Sequence, residues 1–213
     1  MKREEKNLQS RQRILEGALK EFSAKSYAEA SLNNICNDND ISKGIIYHYF
    51  KDKDELYLLC VKECFDALTA YLSDAVKTLD GGVEEHLLGY FDARLRFFRE
   101  NPLYLNIFCN AIINPPMHLL NAIGEIKSEF NKLNFSVLTQ LLERVSLRPD
   151  ITVSEVVEDF RAYQDFFNAR YLSIRQGFPA ESILNDHEEK CHRQLKTLLY
   201  GVIGNERQTV KRQ

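Results

Sequence analysis

Apolar residues recur every three to four positions along almost the whole of this 213-residue chain, and nowhere do they alternate over the length of a strand. A spacing of that kind buries one stripe of a helix and cannot present one clean face of a sheet. In "SRQRILEGALKEFSAKSY", Ile14, Leu15, Ala18, Leu19 and Phe22 fall on one helical face behind Ser10, which can serve as an N-cap. Short helices follow in "ASLNNICND", with Ser31 as cap, and "ISKGIIYHYF", with Ser42 as cap. Further helices are predicted over about 54–79, 83–100, 102–113 and 117–146, in "SEVVEDFRAYQDFFNARYLSIRQ", and in "AESILNDHEEKCHRQLKTLLYGVI". Their breaks are Gly81-Gly82, Asn101-Pro102, "NPPM", "RPD", Gly177 with Pro179, and Gly204. The expected fold class is all-α with about nine helices, followed by a polar tail over 205–213.

Composition narrows the setting. At 44% hydrophobic and 28% charged residues, the chain can bury a sizeable core. No apolar run reaches the roughly 20 residues that span a bilayer, and "MKREEKNLQSRQR" has no apolar core behind it. The expected location is the cytoplasm, with no membrane partner. Five scattered cysteines, Cys36, Cys60, Cys64, Cys109 and Cys191, fit reduced thiols better than a disulfide framework. Net charge is -3, and residues 1–62 carry 11 Lys and Arg against 10 Asp and Glu. Any contact with nucleic acid must therefore rest on a local cluster.

Such a cluster lies in Ser31–Leu56. "NDND" makes a tight corner between two short helices, since Asn and Asp tolerate left-handed backbone and bond their own turn. Helix, short helix, tight turn and short helix is the helix-turn-helix plan, whose second short helix enters a major groove. Ile41, Ile45 or Ile46, and Phe50 supply its inward anchors. Lys43, Tyr47, His48 and Tyr49 supply its outward donors and flat polar groups. Gly44 lets the backbone approach DNA closely. Lys51 and Lys53 stand where they can meet phosphates at the groove edge.

Residues 10–60 resemble the DNA-binding domain of the TetR family of transcriptional regulators. The resemblance is carried by "RILEGALKEFSAKSYAEASLNNIC" and "ISKGIIYHYFKDKDELYLLCV". Ser26, Ala30, Cys36, Asp40 and Ile45 depart from the usual pattern. The resemblance implies a DNA-facing set of Ser31, Ser42, Lys43, Gly44, Ile45, Tyr47, His48, Tyr49 and Lys53. Within it, Ser31 holds a phosphate, Lys43, Gly44 and Ile45 face the groove, Tyr47 and His48 contact backbone and bases, and Tyr49 and Lys53 clamp phosphates. It also implies a DNA-binding domain over 1–53, joined through a helix from 54 to a ligand-binding and dimerisation domain over 54–204.

Aromatics crowd that second region. Most fill a core, and the resemblance implies that a minority line a ligand pocket, for which Phe97, Phe108, His118, Tyr163 and Phe167 are the candidates. Asn110, Asn114, Gln164 and Asn168 are polar residues that could orient a ligand. The last two helices carry wide apolar stripes, and the resemblance implies a four-helix dimer interface there, with Phe160, Phe167, Tyr171, Leu184, Cys191, Leu195 and Leu198 as candidates. The expectation is a homodimeric, ligand-responsive DNA-binding regulator, in the favoured form a repressor released from duplex operator DNA by a small apolar or aromatic effector. It is not expected to be an enzyme or to carry a cofactor. The alternative is an all-helical metal-binding protein or enzyme using His187, Glu189, Cys191 and His192. Only one Glu-x-x-His motif is present there, and Cys60 and Cys64 lack the partners of a zinc site.

Overall fold

The computed structural model describes residues 3–113, 115–174 and 180–203. Among them are ten α-helices and no strand: α1 (Arg3–Ala24), α2 (Leu32–Asp38), α3 (Lys43–Tyr49), α4 (Lys53–Val76), α5 (Val83–Glu100), α6 (Pro102–Ile113), α7 (Leu120–Ile126), α8 (Ser128–Leu142), α9 (Val153–Ile174) and α10 (Ala180–Val202). No helix of the described residues is long and apolar enough to cross a membrane. The all-α expectation holds. The count differs because the single helix expected over 117–146 is three pieces: a 3-10 turn at Met117–Leu119, then α7, then α8. Pro116, at φ -58° and ψ 124°, sets where the segment starts, and Lys127, at φ -72° and ψ -9°, stands between α7 and α8. The break at Gly177 and Pro179, Asn114, and the tail over 205–213 lie outside the described residues.

Two compact units divide the chain. The first comprises Met1–Thr69 and Phe97–Phe130, and the second Ala70–Arg96 and Asn131–Gln213. The first unit therefore extends well past the boundary expected at residue 53. The physical reason is that α6 packs on α1, where the Asn110 amide donates to the Phe22 carbonyl at 3.3 Å. Cys64 on α4 also bonds the Tyr104 carbonyl of α6 through sulfur, at 3.4 Å. Ile14, Ala18 and Phe22 of α1, Ile35 of α2, Ile46 of α3, and Leu56, Tyr57 and Phe65 of α4 fill this unit's core. Phe108 joins it from α6, its ring 5.4 Å from Phe65 and 6.0 Å from Phe130. Burial pushes the Cys60 and Cys64 thiols up, which keeps them protonated and inert packing groups.

In the second unit, Leu87 and Phe91 of α5, Val137 and Leu141 of α8, Val156 and Phe160 of α9, and Leu195 and Leu199 of α10 are buried. The loop after α8 is tied to the end of α10, with the Arg148 N–H donating to the Val202 carbonyl at 2.8 Å. That bond satisfies a carbonyl that a helix end leaves open.

The polar bond that organises the first unit comes from Glu21 of α1. Its carboxylate is buried and accepts from the Ser31 N–H at 3.0 Å, the Asn34 amide at 2.9 Å and the Lys25 ammonium at 2.9 Å. It thereby caps the start of α2 together with Ser31 itself, whose hydroxyl accepts from the Asn33 N–H at 3.2 Å. Burial alone would push the Glu21 carboxyl up, but bonds from Lys25, Asn34 and Ser31 outweigh it and hold it below its usual 4.5. A carboxyl depressed in the folded state contributes stability that is complete above its unfolded value and lost as pH falls through its folded value. Glu21→Gln should therefore be less stable than the parent at pH 7 by about 1–3 kcal/mol. The gap should close as pH falls below 4.5. Urea melts across that range check this, and a deficit independent of pH would show that charge is not what Glu21 contributes.

Candidate nucleic-acid interface

The segment from α2 to α3 has the geometry of a helix-turn-helix. Cys36 and Ile41 close the corner, with the Ile41 N–H donating to the Cys36 carbonyl at 2.9 Å. Within it Asp40 takes φ +51°, a left-handed position that glycine usually fills and that Asp tolerates. Asn39 holds the same corner from both sides: its amide donates to the Ile35 carbonyl and its own carbonyl accepts from Arg13, each at 2.9 Å. Gly17 of α1 lets this happen, because a Cβ there would lie 2.4 Å from the Asn39 amide nitrogen.

Three buried anchors fix the face of α3: Ile41 before it, Ile46 within it and Phe50 after it. Of the two isoleucines left open by the sequence, Ile46 is the anchor and Ile45 is on the outside, 41% exposed. With Ile46 turned inward, helical spacing leaves Lys43, Gly44, Ile45, Tyr47 and His48 on solvent, and Tyr47 is half exposed. Burying Ile46 alone is worth about 1.5–3 kcal/mol, enough to set the rotation of a seven-residue helix. The outward face is therefore a cation, a bare backbone position, a methyl surface, a phenol and an imidazole within six residues. Those are donor, stacking and close-approach groups of the kind that read base edges and phosphates.

Three members of the expected DNA-facing set, Ser31, Tyr49 and Lys53, have other or additional engagements, and Ser42 has none through its hydroxyl. Ser42 occupies the N-cap position of α3 and is exposed, but its hydroxyl makes no capping bond. Ser31 caps α2 through its hydroxyl. The Tyr49 hydroxyl donates to the Asn7 side chain of α1 at 3.1 Å, while its ring meets His48 at 4.9 Å. The largest departure is Lys53. Its ammonium donates to the carbonyls of Tyr27 at 2.7 Å and Ala30 at 3.1 Å, and lies 4.2 Å from the Tyr27 ring centre. In this structure Lys53 therefore anchors the loop before α2, where the sequence reading had it clamping a phosphate. Beside it, Asp54 accepts from the Tyr27 hydroxyl and bonds His118 at 3.1 Å.

The expected ligand set is divided between the two units. Phe97 stacks on Tyr104 and Phe108 sits in the aromatic core of the first unit, while His118 is exposed on Asp54. Tyr163 and Phe167 stack on each other in the second unit, and Phe167 meets the His187 ring at 4.9 Å. A cleft of about 340 Å³, counted to its open mouth, instead lies among Leu87, Tyr90, Phe91, Arg94, Asn134, Val137, Leu138, Phe160, Gln164 and Leu195. Of these, Gln164 was singled out in the sequence as a ligand-orienting residue. A second, more apolar cleft of about 350 Å³ is lined by Val83, Glu84, Leu87, His192, Lys196, Leu199, Tyr200 and Ile203. Arg94, buried beside Tyr90 and Phe91, was missed because α5 also carries Arg96 and Arg99, and nothing in the spacing sets it apart from them.

The expected dimer residues lie on α9 and α10. Phe160, Phe167, Cys191 and Leu195 are already buried within the single chain, and Leu198 is half-buried. The side chains of Tyr171, Leu184 and Asn168 lie outside the described residues. Among the described residues of these two helices, Phe166 and Tyr200 are exposed aromatics, at 67% and 62%. Among the described residues no three His, Cys, Asp or Glu side chains gather to hold a metal. His187 packs on Phe167 and His192 on Phe91, so the 187–192 cluster splits between two contacts.

Removing the Lys53 ammonium should cost stability before it costs anything else. Lys53→Ala is expected to lower the unfolding free energy by about 1–3 kcal/mol, the range for bonds made by a charged donor. Lys43→Ala, on the open face, should change it by less than about 0.5 kcal/mol. Paired urea titrations decide this, and equal midpoints for parent and Lys53→Ala would return Lys53 to a purely DNA-facing role.

Comparison with known proteins bears on the same segment. The profile described as "Bacterial regulatory proteins, tetR family" matches residues 14–60, which run from the buried face of α1 through α2 and α3 into α4. The HTH-type transcriptional repressor AcnR of Corynebacterium efficiens is 37% identical over 59 residues, 28% of this chain and 31% of that protein. The negative transcriptional regulator IcaR of the biofilm operon icaADBC in Staphylococcus epidermidis is 25% identical over 134 residues, 62% of this chain and 66% of its own length. The chain thus spans less than two thirds of the curated relatives it matches. Solved structures extend the likeness in fold. A TetR family regulator from Chloroflexus aurantiacus superposes with TM-score 0.58 at 20% identity, covering 92% of this chain and 94% of that one. FadR of Bacillus subtilis, solved in complex with stearoyl-CoA, gives TM-score 0.61 at 15% identity over 84% and 96%. The two short helices, the left-handed corner and the matched segment thus coincide: residues 14–60 carry the helix-turn-helix segment described for the tetR family of bacterial regulatory proteins, and the fold of the chain is like that of solved TetR family regulators.

Proposed function

We propose that this protein is a DNA-binding transcriptional repressor whose α3 enters the major groove and whose second unit takes a small-molecule effector. The observation that carries the reading is the sidedness of α3: Ile41, Ile46 and Phe50 buried, and Lys43, Gly44, Ile45, Tyr47 and His48 open. A surface helix with no partner has no need of an exposed phenol and imidazole beside a bare glycine. A groove-reading helix needs all three. Residues 1–53 act as the DNA-binding domain and 54–204 as the effector and dimerisation domain. The repressors AcnR and IcaR among the relatives support the sign of regulation, and the stearoyl-CoA bound by the structural neighbour FadR supports an effector inside a helical body.

A single α3 reads only one half-site, so the protein acts as a homodimer with two recognition helices about one DNA turn apart, roughly 34–36 Å. Phe166 of α9 and Tyr200 of α10 are the exposed aromatics suited to the centre of such an interface. Effector binding then works by linkage. A ligand that prefers the form unable to bind DNA weakens operator affinity, and operator weakens ligand binding by the same factor.

The direct test is to select duplexes from a random library with the purified protein and measure their retardation. Tyr47→Ala and Lys43→Ala should each weaken the selected duplex by about 1–3 kcal/mol per half-site while leaving the melting temperature unchanged. A Tyr47→Ala protein that binds normally, or one that unfolds, would refute the assigned face. Phe166→Glu should sediment as a monomer and lose retardation of the selected duplex, because a charge buried without a partner costs several kcal/mol. A Phe166→Glu dimer would place the interface elsewhere.

A further inference from the structure

The face of α1 that packs the core continues past the end of that core. Ile14, Ala18 and Phe22 are buried, and one and two turns earlier the same stripe carries Arg11 and Asn7, both exposed. These two side chains meet consecutive residues at the end of α3. The Tyr49 hydroxyl donates to the Asn7 side-chain oxygen at 3.1 Å, and the Arg11 guanidinium carbon lies 5.7 Å from the Phe50 ring centre. Phe50 is buried, so the surface on which Arg11 rests is fixed. Arg13 has a different task, since it bonds the Asn39 carbonyl and so belongs to the corner.

The chemistry of these contacts separates the three side chains. A phenol has one hydrogen to give, and Tyr49 gives it to Asn7, so in this arrangement Tyr49 cannot also donate to a phosphate. An asparagine whose oxygen accepts still has two N–H donors on its nitrogen. A guanidinium lying against a ring keeps its charge and its in-plane N–H groups. Position then decides what these donors can meet. In a helix-turn-helix the first residues of the recognition helix reach base edges, and its far end lies toward the duplex backbone. Asn7 and Arg11 extend the open face of α3 from that far end, where an amide and a cation face phosphate and not base.

We infer that α1 supplies a second DNA contact, in which the Arg11 guanidinium and the Asn7 amide nitrogen take the sugar-phosphate backbone beside the end of α3, and that Tyr49 is a positioning residue that holds Asn7. This rests on the reading of the protein as a DNA-binding regulator, and it moves one of the expected phosphate contacts from α3 to α1.

The test uses the full chain with a library-selected duplex and a scrambled duplex of the same length, each titrated over a range of salt. Arg11→Met keeps a stem against Phe50 and removes the charge. It should weaken both duplexes by the same factor, about tenfold for each protomer bound, and flatten the slope of log affinity against log salt by about 0.9 per protomer. Arg11→Lys should keep the parent's slope, even where Arg11→Met melts at a lower temperature. Asn7→Ala should weaken both duplexes by about three- to tenfold per protomer. Tyr49→Phe should weaken binding in the parent but change nothing when added to Asn7→Ala, because a positioning residue acts only through the residue it holds. Losses that multiply in this cycle would put Tyr49 on the phosphate itself and overturn the assignment. An Arg11→Met slope equal to the parent's, an Arg11→Lys slope as flat as that of Arg11→Met, a loss confined to the selected duplex, or parental affinity in Asn7→Ala would each do the same. A parent that retards no duplex would overturn the regulator reading and this inference with it. A parent that binds, beside variants that bind as well, overturns this inference alone.

Discussion

One peptide unit holds the DNA-reading part of this molecule in place. The C=O of Ala30 accepts from the Lys53 ammonium at 3.1 Å, and the N–H of Ser31, the other end of the same peptide, donates to the Glu21 carboxylate at 3.0 Å. A cation on the oxygen and an anion on the hydrogen are both aligned with the peptide dipole, so each charge offsets part of the other's desolvation. Glu21 comes from α1 and Lys53 from α4, and the peptide they grip is the entry to α2. Three elements distant in sequence are thus fixed at one point, and α3 is placed from there through a corner of four residues, Asn39 to Ser42.

The same economy recurs at the corner. Gly17 permits the close approach of Asn39, Asn39 holds the Ile35 carbonyl, and Asp40 turns left-handed so that Ile41 can close on Cys36. No large core is needed there, only small residues and short polar bonds.

Helices and their breaks were legible in the sequence because periodicity and Gly or Pro punctuation are local signals. The rotation of α3 was half legible. Ile45 and Ile46 are chemically alike, and only packing against the rest of the first unit distinguishes them. The pieces of 117–142 were missed because the apolar spacing continues through Lys127, where no residue forbids a helix. Lys53 was read as a phosphate ligand from its place at the end of the recognition helix and from resemblance. Its carbonyl partners Tyr27 and Ala30 are 26 and 23 residues away, and no spacing rule reaches them. Phe160, Phe167, Cys191 and Leu195 were assigned to an interface because a wide stripe looks the same whether a neighbouring helix or a second subunit covers it. Arg94 was overlooked since an arginine on a helix is ordinarily solvated.

Every bond that holds α3 in position lies on its inner side or at its ends, and its five open residues, 43, 44, 45, 47 and 48, are free of structural duty apart from the His48 ring edge against Tyr49. The open face is therefore an interchangeable cassette. Operator preference can drift in evolution, or be rewritten by library selection at Lys43, Ile45, Tyr47 and His48, without a compensating change in the scaffold beneath. The corner has no such freedom: a side chain at Gly17 would meet the Asn39 amide, and Asp40 holds a left-handed position, so a change at either strains the turn that places α3.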